Sequence, residues 1–228
     1  MMHWADVFNN FGFLMKGLEM TFLLALCSVA GSLALGTFLG ITRYLKIPIF
    51  SLVVTAYIES VRSIPLILFL FFIHFGFLPY VIGAQSSFFT SSCLALIVFT
   101  SAYVAEIIRG GLGSIEKEHI DAATSLGLTQ RQRLQYIILP IAFQRMMPAL
   151  VSQFIALIKD TSLASTIGLI ELTRAGEIIY EKTYHEFEVL IFIAFIYFVI
   201  CFSLSRFSKI LEAKPYLTAE SQKTCFQQ

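Results

Sequence analysis

A carboxylate and a guanidinium lie three residues apart in an otherwise apolar stretch of the chain. Glu59 and Arg62 share one face of a helix at this spacing. A charge at the centre of a membrane-spanning helix costs about 2.5–3.5 kcal/mol on insertion scales, so such charges usually face a cavity or pair with each other. One interpretation is that both residues line a polar path suited to a solute with both charges. The alternative is an internal ion pair that fixes helix packing.

A second polar group follows a weaker apolar stretch and consists of Lys159, Asp160, Thr161 and Ser162. The hydroxyl groups can cap a short helix, and the lysine can pair with the aspartate. The same residues can equally line a gate. Both interpretations stay open at this point.

The segment 106–145 is too long for a turn between two spans, and it predicts two short helices. The first is expected from Glu116 to Leu126, with Gly127 placed to end it. The stretch 129–132 then fits a capping box, and a second helix should run until Pro140 interferes. The small pair Ala122-Ala123 beside Asp121 suits a docking elbow at about 114–139. An amphipathic helix on the membrane surface is the alternative.

Nucleotide and catalytic motifs are missing from the sequence. There is no Walker A pattern, not even a Gly-Lys dipeptide, so the chain cannot hold nucleotide phosphates in a P-loop. H-E-x-x-H and G-x-S-x-G do not occur. The four cysteines, Cys27, Cys93, Cys201 and Cys225, form no metal-ligand spacing. We therefore expect no metal, no cofactor and no catalytic residue on this chain.

The composition indicates the class of protein that positions these residues. The 228 residues include 23 Phe, only 14% are charged, and 57% are hydrophobic. The mean hydropathy is +0.78. A soluble domain has about 25% charged residues. The composition therefore predicts an all-α integral membrane protein and excludes a disordered chain, a disulfide-stapled domain and a strongly basic nucleic-acid binder.

Five transmembrane helices are expected, at about 18–42, 50–75, 88–108, 141–160 and 187–206. The docking elbow lies between the third and the fourth, and Pro148 should kink the fourth. Residues 1–210 form one membrane domain on this interpretation. Residues 211–228 form a polar cytoplasmic tail.

The distribution of Lys and Arg orients these spans. Only Lys16, Arg174 and Lys182 fall on one side. The other side carries most of the 16 basic residues: Arg43, Lys46, Arg109, Lys117, Arg131, Arg133, Arg145, Arg206, Lys209, Lys214 and Lys223. The N-terminus is therefore expected outside and the C-terminus in the cytoplasm. The Glu-rich stretch 171–188 falls outside, where a solvated surface is the default and contact with another protein is the alternative.

Several motifs resemble one known family. The pattern Asp121-Ala122-Ala123, Gly127, Ile137, Leu139-Pro140 resembles the EAA motif of bacterial ABC importer permeases. The stretches 17–21, 57–66, 105–111 and 159–163 resemble motifs of the polar amino-acid permeases of the HisM/GlnP type. Asp121 stands where Glu is usual, and Glu118-His119 stands where Gly-Gln is common.

The resemblance implies a multi-pass permease in the bacterial cytoplasmic (inner) membrane that imports polar amino acids by alternating access. It implies coupling to a cytoplasmic ATPase dimer through Asp121, Ala122, Ala123, Gly127, Leu139 and Pro140, with ATP and Mg on that partner. Further implied partners are a second permease subunit, the same or homologous, and an extracytoplasmic amino-acid-binding protein, besides membrane lipid and no nucleic acid.

Two other functions compete with this interpretation. The intramembrane charges Glu59 and Arg62 also suit an ion-coupled carrier or a channel subunit. A membrane enzyme using Glu106, His119 and Asp121 lacks a nucleophile and metal-ligand spacing. The sequence leaves open which amino acid is carried and whether the pore is a homodimer or a heterodimer.

Overall fold

The computed structural model describes residues 4–83 and 86–212, and these ranges contain helices and no strand. The helices are α1 (Ala5–Asn9), α2 (Phe11–Tyr44), α3 (Phe50–Ser63), α4 (Leu66–Phe71), α5 (Leu78–Ile82), α6 (Phe88–Gly113), α7 (Lys117–Ser125), α8 (Gln130–Arg133), α9 (Leu139–Asp160), α10 (Leu172–Thr183) and α11 (Glu186–Glu212). The π-helical turns Phe72–Phe77 and Leu134–Ile138 join α4 to α5 and α8 to α9, and the 3₁₀ segment Thr161–Ile167 follows α9.

Four of these helical stretches are long and apolar enough to cross a membrane: Phe11–Tyr44, Phe88–Gly113, Gln130–Ile167 and Glu186–Lys209. A fifth span is possible if the bent pair Phe50–Ser63 and Leu66–Val81 crosses as one unit. The predicted all-α membrane class is confirmed, and the predicted count of five is compatible with this architecture.

The second predicted span, 50–75, is not one straight helix. It bends by 109° between α3 and α4. Ile64 lies in the extended region with φ −101° and ψ 135°, because the ring of Pro65 disfavours the helical conformation for the residue before it. Pro65 then stands immediately before the first turn of α4, where its missing N–H costs nothing.

The fourth span is longer than the predicted 141–160. Helical structure is continuous from Gln130 to Ile167, so Pro140 does not end the helix that precedes it. The π-helical turn just before α9 explains this difference, since such a local change of register can accommodate a proline inside a span. Pro148 lies inside α9, which continues through it.

The fifth predicted span, 187–206, lies within α11, which reaches Glu212. Most of the predicted polar tail, residues 213–228, lies outside the described residues.

A row of glycines allows α2 to approach α6 closely. A Cβ atom on Gly36 would lie 2.6 Å from Cβ of Val104, and one on Gly40 would lie 2.7 Å from the carbonyl oxygen of Ala105. Gly36 and Gly40 form the small-xxx-small spacing that favours such contacts between membrane helices. We call this contact the glycine seam. It fixes α2 and α6 as one unit against which the other spans pack.

Two apolar clusters place the remaining helices around this pair. Val54 and Ile58 of α3 pack with residues of α4 and with Ala95 and Ala102 of α6. In a second cluster, α10 lies between α2 and α11, and this cluster includes Leu14, Leu172, Ala175, Ile179, Val189 and Ile193. The chain thus has a helical bundle around α2 and α6, with the bent pair α3–α4 packed on α6 and the short helix α10 packed between α2 and α11.

Candidate functional site

The predicted docking elbow is built on α7 and the turn that follows it. Asp121 and Ala122 are exposed, whereas Ala123 is only 3% exposed and faces the protein. The small-residue pair is therefore divided between an outward and an inward position. Leu139 and Pro140 lie separately, exposed at the start of α9 beyond the π-helical turn.

Gly127 ends α7 as the sequence predicted. Its φ is +75°, a left-handed conformation that costs a residue with a side chain about 1–2 kcal/mol. Its N–H donates to the Thr124 carbonyl at 2.9 Å, and the N–H of Leu128 donates to the Ala123 carbonyl at 3.2 Å. This pair of bonds is a Schellman motif, which satisfies the last carbonyls of the helix.

The predicted capping box is also confirmed. The side chain of Thr129 accepts from the Gln132 N–H, and the Gln132 amide oxygen accepts from the Thr129 N–H at 2.9 Å. Arg133 donates to the Thr124 hydroxyl at 2.5 Å and so joins α8 to α7. At the base of the elbow, Arg145 donates to the carbonyl and hydroxyl oxygens of Ser114. The elbow is therefore held in one shape although most of its surface is exposed.

The intramembrane charges of α3 do not pair with each other. Glu59 and Arg62 are both exposed, and no ion pair joins them in the described structure. The guanidinium of Arg62 instead lies 5.2 Å from the ring centre of Tyr103 on α6, a cation–π arrangement. The internal ion pair that the spacing suggested is therefore absent, and Glu59 is exposed while Arg62 contacts α6.

The polar group at the end of α9 differs from the predicted cap. Thr161 donates to the Ile158 carbonyl at 2.6 Å, and Ser162 donates to the Lys159 carbonyl at 2.7 Å. The hydroxyls thus bond back to the preceding turn rather than capping the next helix. Lys159 is exposed, Asp160 is partly buried, and the two form no ion pair within the described residues.

A charged cluster at the ends of α2 and α6 was not predicted as a site. Glu106 forms ion pairs with Arg43 of α2 and with Arg109 one turn along α6. Nη2 of Arg109 lies 2.5 Å from Oε1 of Glu106, and the Glu106 side chain is 28% exposed. The i,i+3 spacing of Glu106 and Arg109 could have indicated half of this cluster. Arg43 reaches it only through the tertiary contact.

Glu171 also differs from expectation, because it is completely buried rather than solvated. Its carboxyl group caps α10. Burial raises the pKa of Glu171 above its usual range, although hydrogen bonds from Thr173, Arg174 and Tyr197 act in the opposite direction. Arg174 forms surface ion pairs with Glu177 at 2.9 Å and with Glu181 at 3.2 Å. The hydrogen bond to Glu177 is the main reason that the pKa of Arg174 is raised above its usual value.

Metal-binding arrangements of three or more His, Cys, Asp or Glu side chains are absent from ranges 4–83 and 86–212. The site that emerges is thus an exposed, well-fixed elbow joined to a bundle with charged side chains along its helices. Such an arrangement can bind another protein and transmit movement to the spans.

Comparison with known proteins identifies the family. Residues 32–215 match the model of the "Binding-protein-dependent transport system inner membrane component" family. The probable glutamine ABC transporter permease protein GlnP of Bacillus subtilis is 39% identical over 209 residues, which cover 90% of this chain and 95% of that protein. The glutamine transport system permease protein GlnP of Escherichia coli K12 is 33% identical, with 92% and 96% covered.

Solved structures agree with this result. A chain of an amino acid ABC transporter, crystallised with histidines, superposes with a TM-score of 0.87 at 33% identity, covering 94% of this chain and 100% of that one. The inward-facing MetNI methionine ABC transporter shares the fold at a TM-score of 0.70 and 20% identity, covering 88% and 97%. The chain therefore belongs to the inner membrane components of binding-protein-dependent transport systems, and it is a permease subunit of an ABC importer.

Proposed function

We propose that this permease carries polar amino acids, with glutamine the first candidate. Two relatives that match more than nine-tenths of their own length are glutamine permeases by name, and a superposing structure is an amino acid transporter. An amino acid carries a carboxylate and an ammonium group. Exposed Glu59 and Arg62 on α3, with Lys159 and Asp160 at the end of α9, offer both complementary charges along a path.

The elbow is the proposed docking site for a separate ATPase dimer, which holds ATP and Mg. This part of the proposal is carried by one observation: α7 is exposed and yet held by a Schellman motif, a capping box and the Arg133–Thr124 bond. A docking element must keep its shape while it transmits load. Leu126, 80% exposed next to Gly127, offers an apolar side chain to a cleft on the partner.

The same proposal places the N-terminus outside and the C-terminus in the cytoplasm, because the elbow must face the ATPase and the positive-inside rule agrees. An extracytoplasmic binding protein then delivers the amino acid near α10. A second permease subunit, identical or homologous, completes the pore. Closure of the ATPase dimer would move the two elbows together and rock the spans between outward-facing and inward-facing states.

Co-purification tests the coupling. The tagged chain is purified from native membranes in a gentle detergent, and the proteins that accompany it are identified by mass spectrometry. We expect a P-loop ATPase with the wild type and its loss with Gly127→Asp, which adds a negative charge to the exposed turn that ends α7. Gly113→Asp is the matched control, because a side chain there also meets open space but lies outside the elbow. Recovery of a folded permease dimer without any ATPase would refute the proposal.

Uptake tests the substrate. Proteoliposomes that contain the permease and its ATPase, with the binding protein outside, are given labelled glutamine, with ATP supplied inside. ATP-dependent accumulation that survives an ionophore supports the proposed function. Accumulation that disappears with the ionophore and continues without ATP would instead indicate an ion-coupled carrier.

A further inference from the structure

Glu171 is a buried acidic residue at a meeting point of three helices. It has 0% exposed surface, although it precedes a short helix at one end of the bundle. An ordinary helix cap needs only an exposed Ser, Thr or Asp. Burying a carboxyl group instead requires that its oxygens find partners, since an unpaired buried charge is strongly destabilising. The partners therefore indicate what this residue does.

The carboxyl group accepts hydrogen bonds from two helices and lies beside a hydroxyl group of a third. Its Oε1 accepts from the N–H of Arg174 at 2.9 Å, and its Oε2 accepts from the N–H of Thr173 at 2.9 Å; both donors belong to α10. Oε2 also accepts from the hydroxyl of Tyr197 on α11 at 3.1 Å. The hydroxyl of Thr21 on α2 lies 3.4 Å from the same oxygen, and its nearer acceptor is the Gly17 carbonyl of its own helix at 3.1 Å. One side chain thus connects α2, α10 and α11.

Thr21 strengthens the connection from the other direction. Its hydroxyl oxygen accepts from the N–H of Leu172 at 3.1 Å. One turn earlier, Gly17 permits the contact, because a Cβ there would lie 2.8 Å from Cβ of Ala175 and 3.0 Å from the Glu171 carbonyl oxygen. The stretch 17–21, which the sequence singled out only by resemblance, therefore has a structural role in seating α10 on α2.

Two apolar clusters adjoin the buried carboxyl group. One apolar cluster contains Leu14, Leu172 and Val189. The next contains Leu24 of α2 and Leu169, just before Glu171. Sliding or turning α10 against α2 or α11 would leave the carboxyl group with fewer donors in an apolar environment, and that movement is costly. We call Glu171, Thr21 and Tyr197 the α10 joint.

We propose that Glu171 is a positioning residue of the transport cycle: through the α10 joint it makes α10, the adjoining part of α2 and α11 move as one body. When the binding protein shifts α10, α2 and α11 then move with it. This inference rests on the proposed orientation, which puts α10 on the side of the binding protein.

The test uses the complete transporter, permease with its ATPase, in lipid nanodiscs. Tyr197→Phe removes one donor to the carboxyl group and keeps the ring. Thr21→Val removes the acceptor for Leu172 and keeps the side-chain shape, whereas Thr21→Ser retains the hydroxyl. Thr42→Val is the matched control, since Thr42 is a buried threonine of the same helix whose hydroxyl bonds only its own helix, at the Phe38 carbonyl.

Three quantities are measured for each variant: the yield of monodisperse complex, the basal ATPase rate, and the stimulation of ATPase by loaded binding protein. We expect yield and basal rate to stay near wild type. Stimulation should fall about fivefold to tenfold in Tyr197→Phe and Thr21→Val, the change that corresponds to loss of one hydrogen bond in an equilibrium between two states. Thr21→Ser and Thr42→Val should be stimulated normally.

Two results would overturn the inference. In the first, Tyr197→Phe and Thr21→Val are stimulated as strongly as Thr42→Val. In the second, yield, basal rate and stimulation fall in the same proportion, which would make the joint a stability element only. Failure of the proposed function itself is distinguishable, because the wild type would then show no stimulation by any binding protein.

Discussion

The glycine seam between α2 and α6 gives a prediction about stability. Gly40→Ala places a Cβ 2.7 Å from the carbonyl oxygen of Ala105 and 3.0 Å from Cβ of Ile108. Neither atom can move away without its backbone. The two helices must therefore separate locally, and packing contacts along the seam are lost with them.

The expected magnitude follows from two opposing terms. Forcing an extra carbon into a well-packed contact costs about 1–3 kcal/mol, and replacing a helical glycine by alanine returns about 0.5–1 kcal/mol. Gly110→Ala in α6 is the matched control, because its Cβ meets nothing within 4 Å. We expect Gly40→Ala to be less stable than Gly110→Ala by about 2 kcal/mol, or about 4–8 °C in a thermal midpoint for a chain of this size.

The assay is the fraction of purified protein that remains monodisperse in size-exclusion chromatography after heating to a series of temperatures. Wild type, Gly40→Ala and Gly110→Ala are compared in the same detergent. Equal midpoints for the two alanine variants would show that the contact at Gly40 can accommodate a methyl group. The conclusion that the glycine seam fixes α2 and α6 as one unit would then be wrong.

Three further predictions concern charges and the elbow. Gly127→Asn should keep ATPase binding while Gly127→Val loses it in a pull-down, because Asn tolerates a positive φ and a β-branched residue does not; equal binding would argue against the turn's role. Glu106→Gln should lower the thermal midpoint of the purified chain by the equivalent of about 1–2 kcal/mol, since Arg43 and Arg109 lose their shared carboxylate; an unchanged midpoint would contradict this. The pKa of Glu171 is raised by burial, so the folded protein holds this proton at a pH where the unfolded chain has released it. The stability of wild type relative to Glu171→Gln should therefore decrease as pH rises above the ordinary Glu value of about 4.3, and an increase across that range would refute the assignment.

Features set by neighbouring residues were predictable from the sequence. Gly127 ends α7, and Thr129 with Gln132 forms the capping box, because each depends on residues within one turn. The membrane class and the family motifs were also readable. Helix boundaries around prolines were harder to predict. Pro140 is accommodated by a π-helical turn, and a proline rule alone does not state whether a helix will break or adapt.

Features set by distant residues were not predictable from one sequence. Glu171 reads as one more surface acid in a Glu-rich stretch, and only Thr21, 150 residues away, and Tyr197 reveal it as buried. Arg43 and Glu106 meet for the same reason. Glu59 and Arg62 are an opposite case, because their spacing on one helix predicted an ion pair that does not form. Arg62 instead contacts the ring of Tyr103 on another helix.

The 109° bend between α3 and α4 has a consequence for where lipid can lie. Helix ends leave carbonyl and N–H groups without intrahelical partners, and hydrocarbon tails can satisfy none of them. Ile64, 42% exposed, and exposed Pro65 stand at this bend. Acyl chains must therefore be excluded from this side of the bundle, which has to border water or a protein. The broad apolar surface of α11, with Phe195 and Phe198 about 60% exposed, is by contrast suited to direct contact with the bilayer.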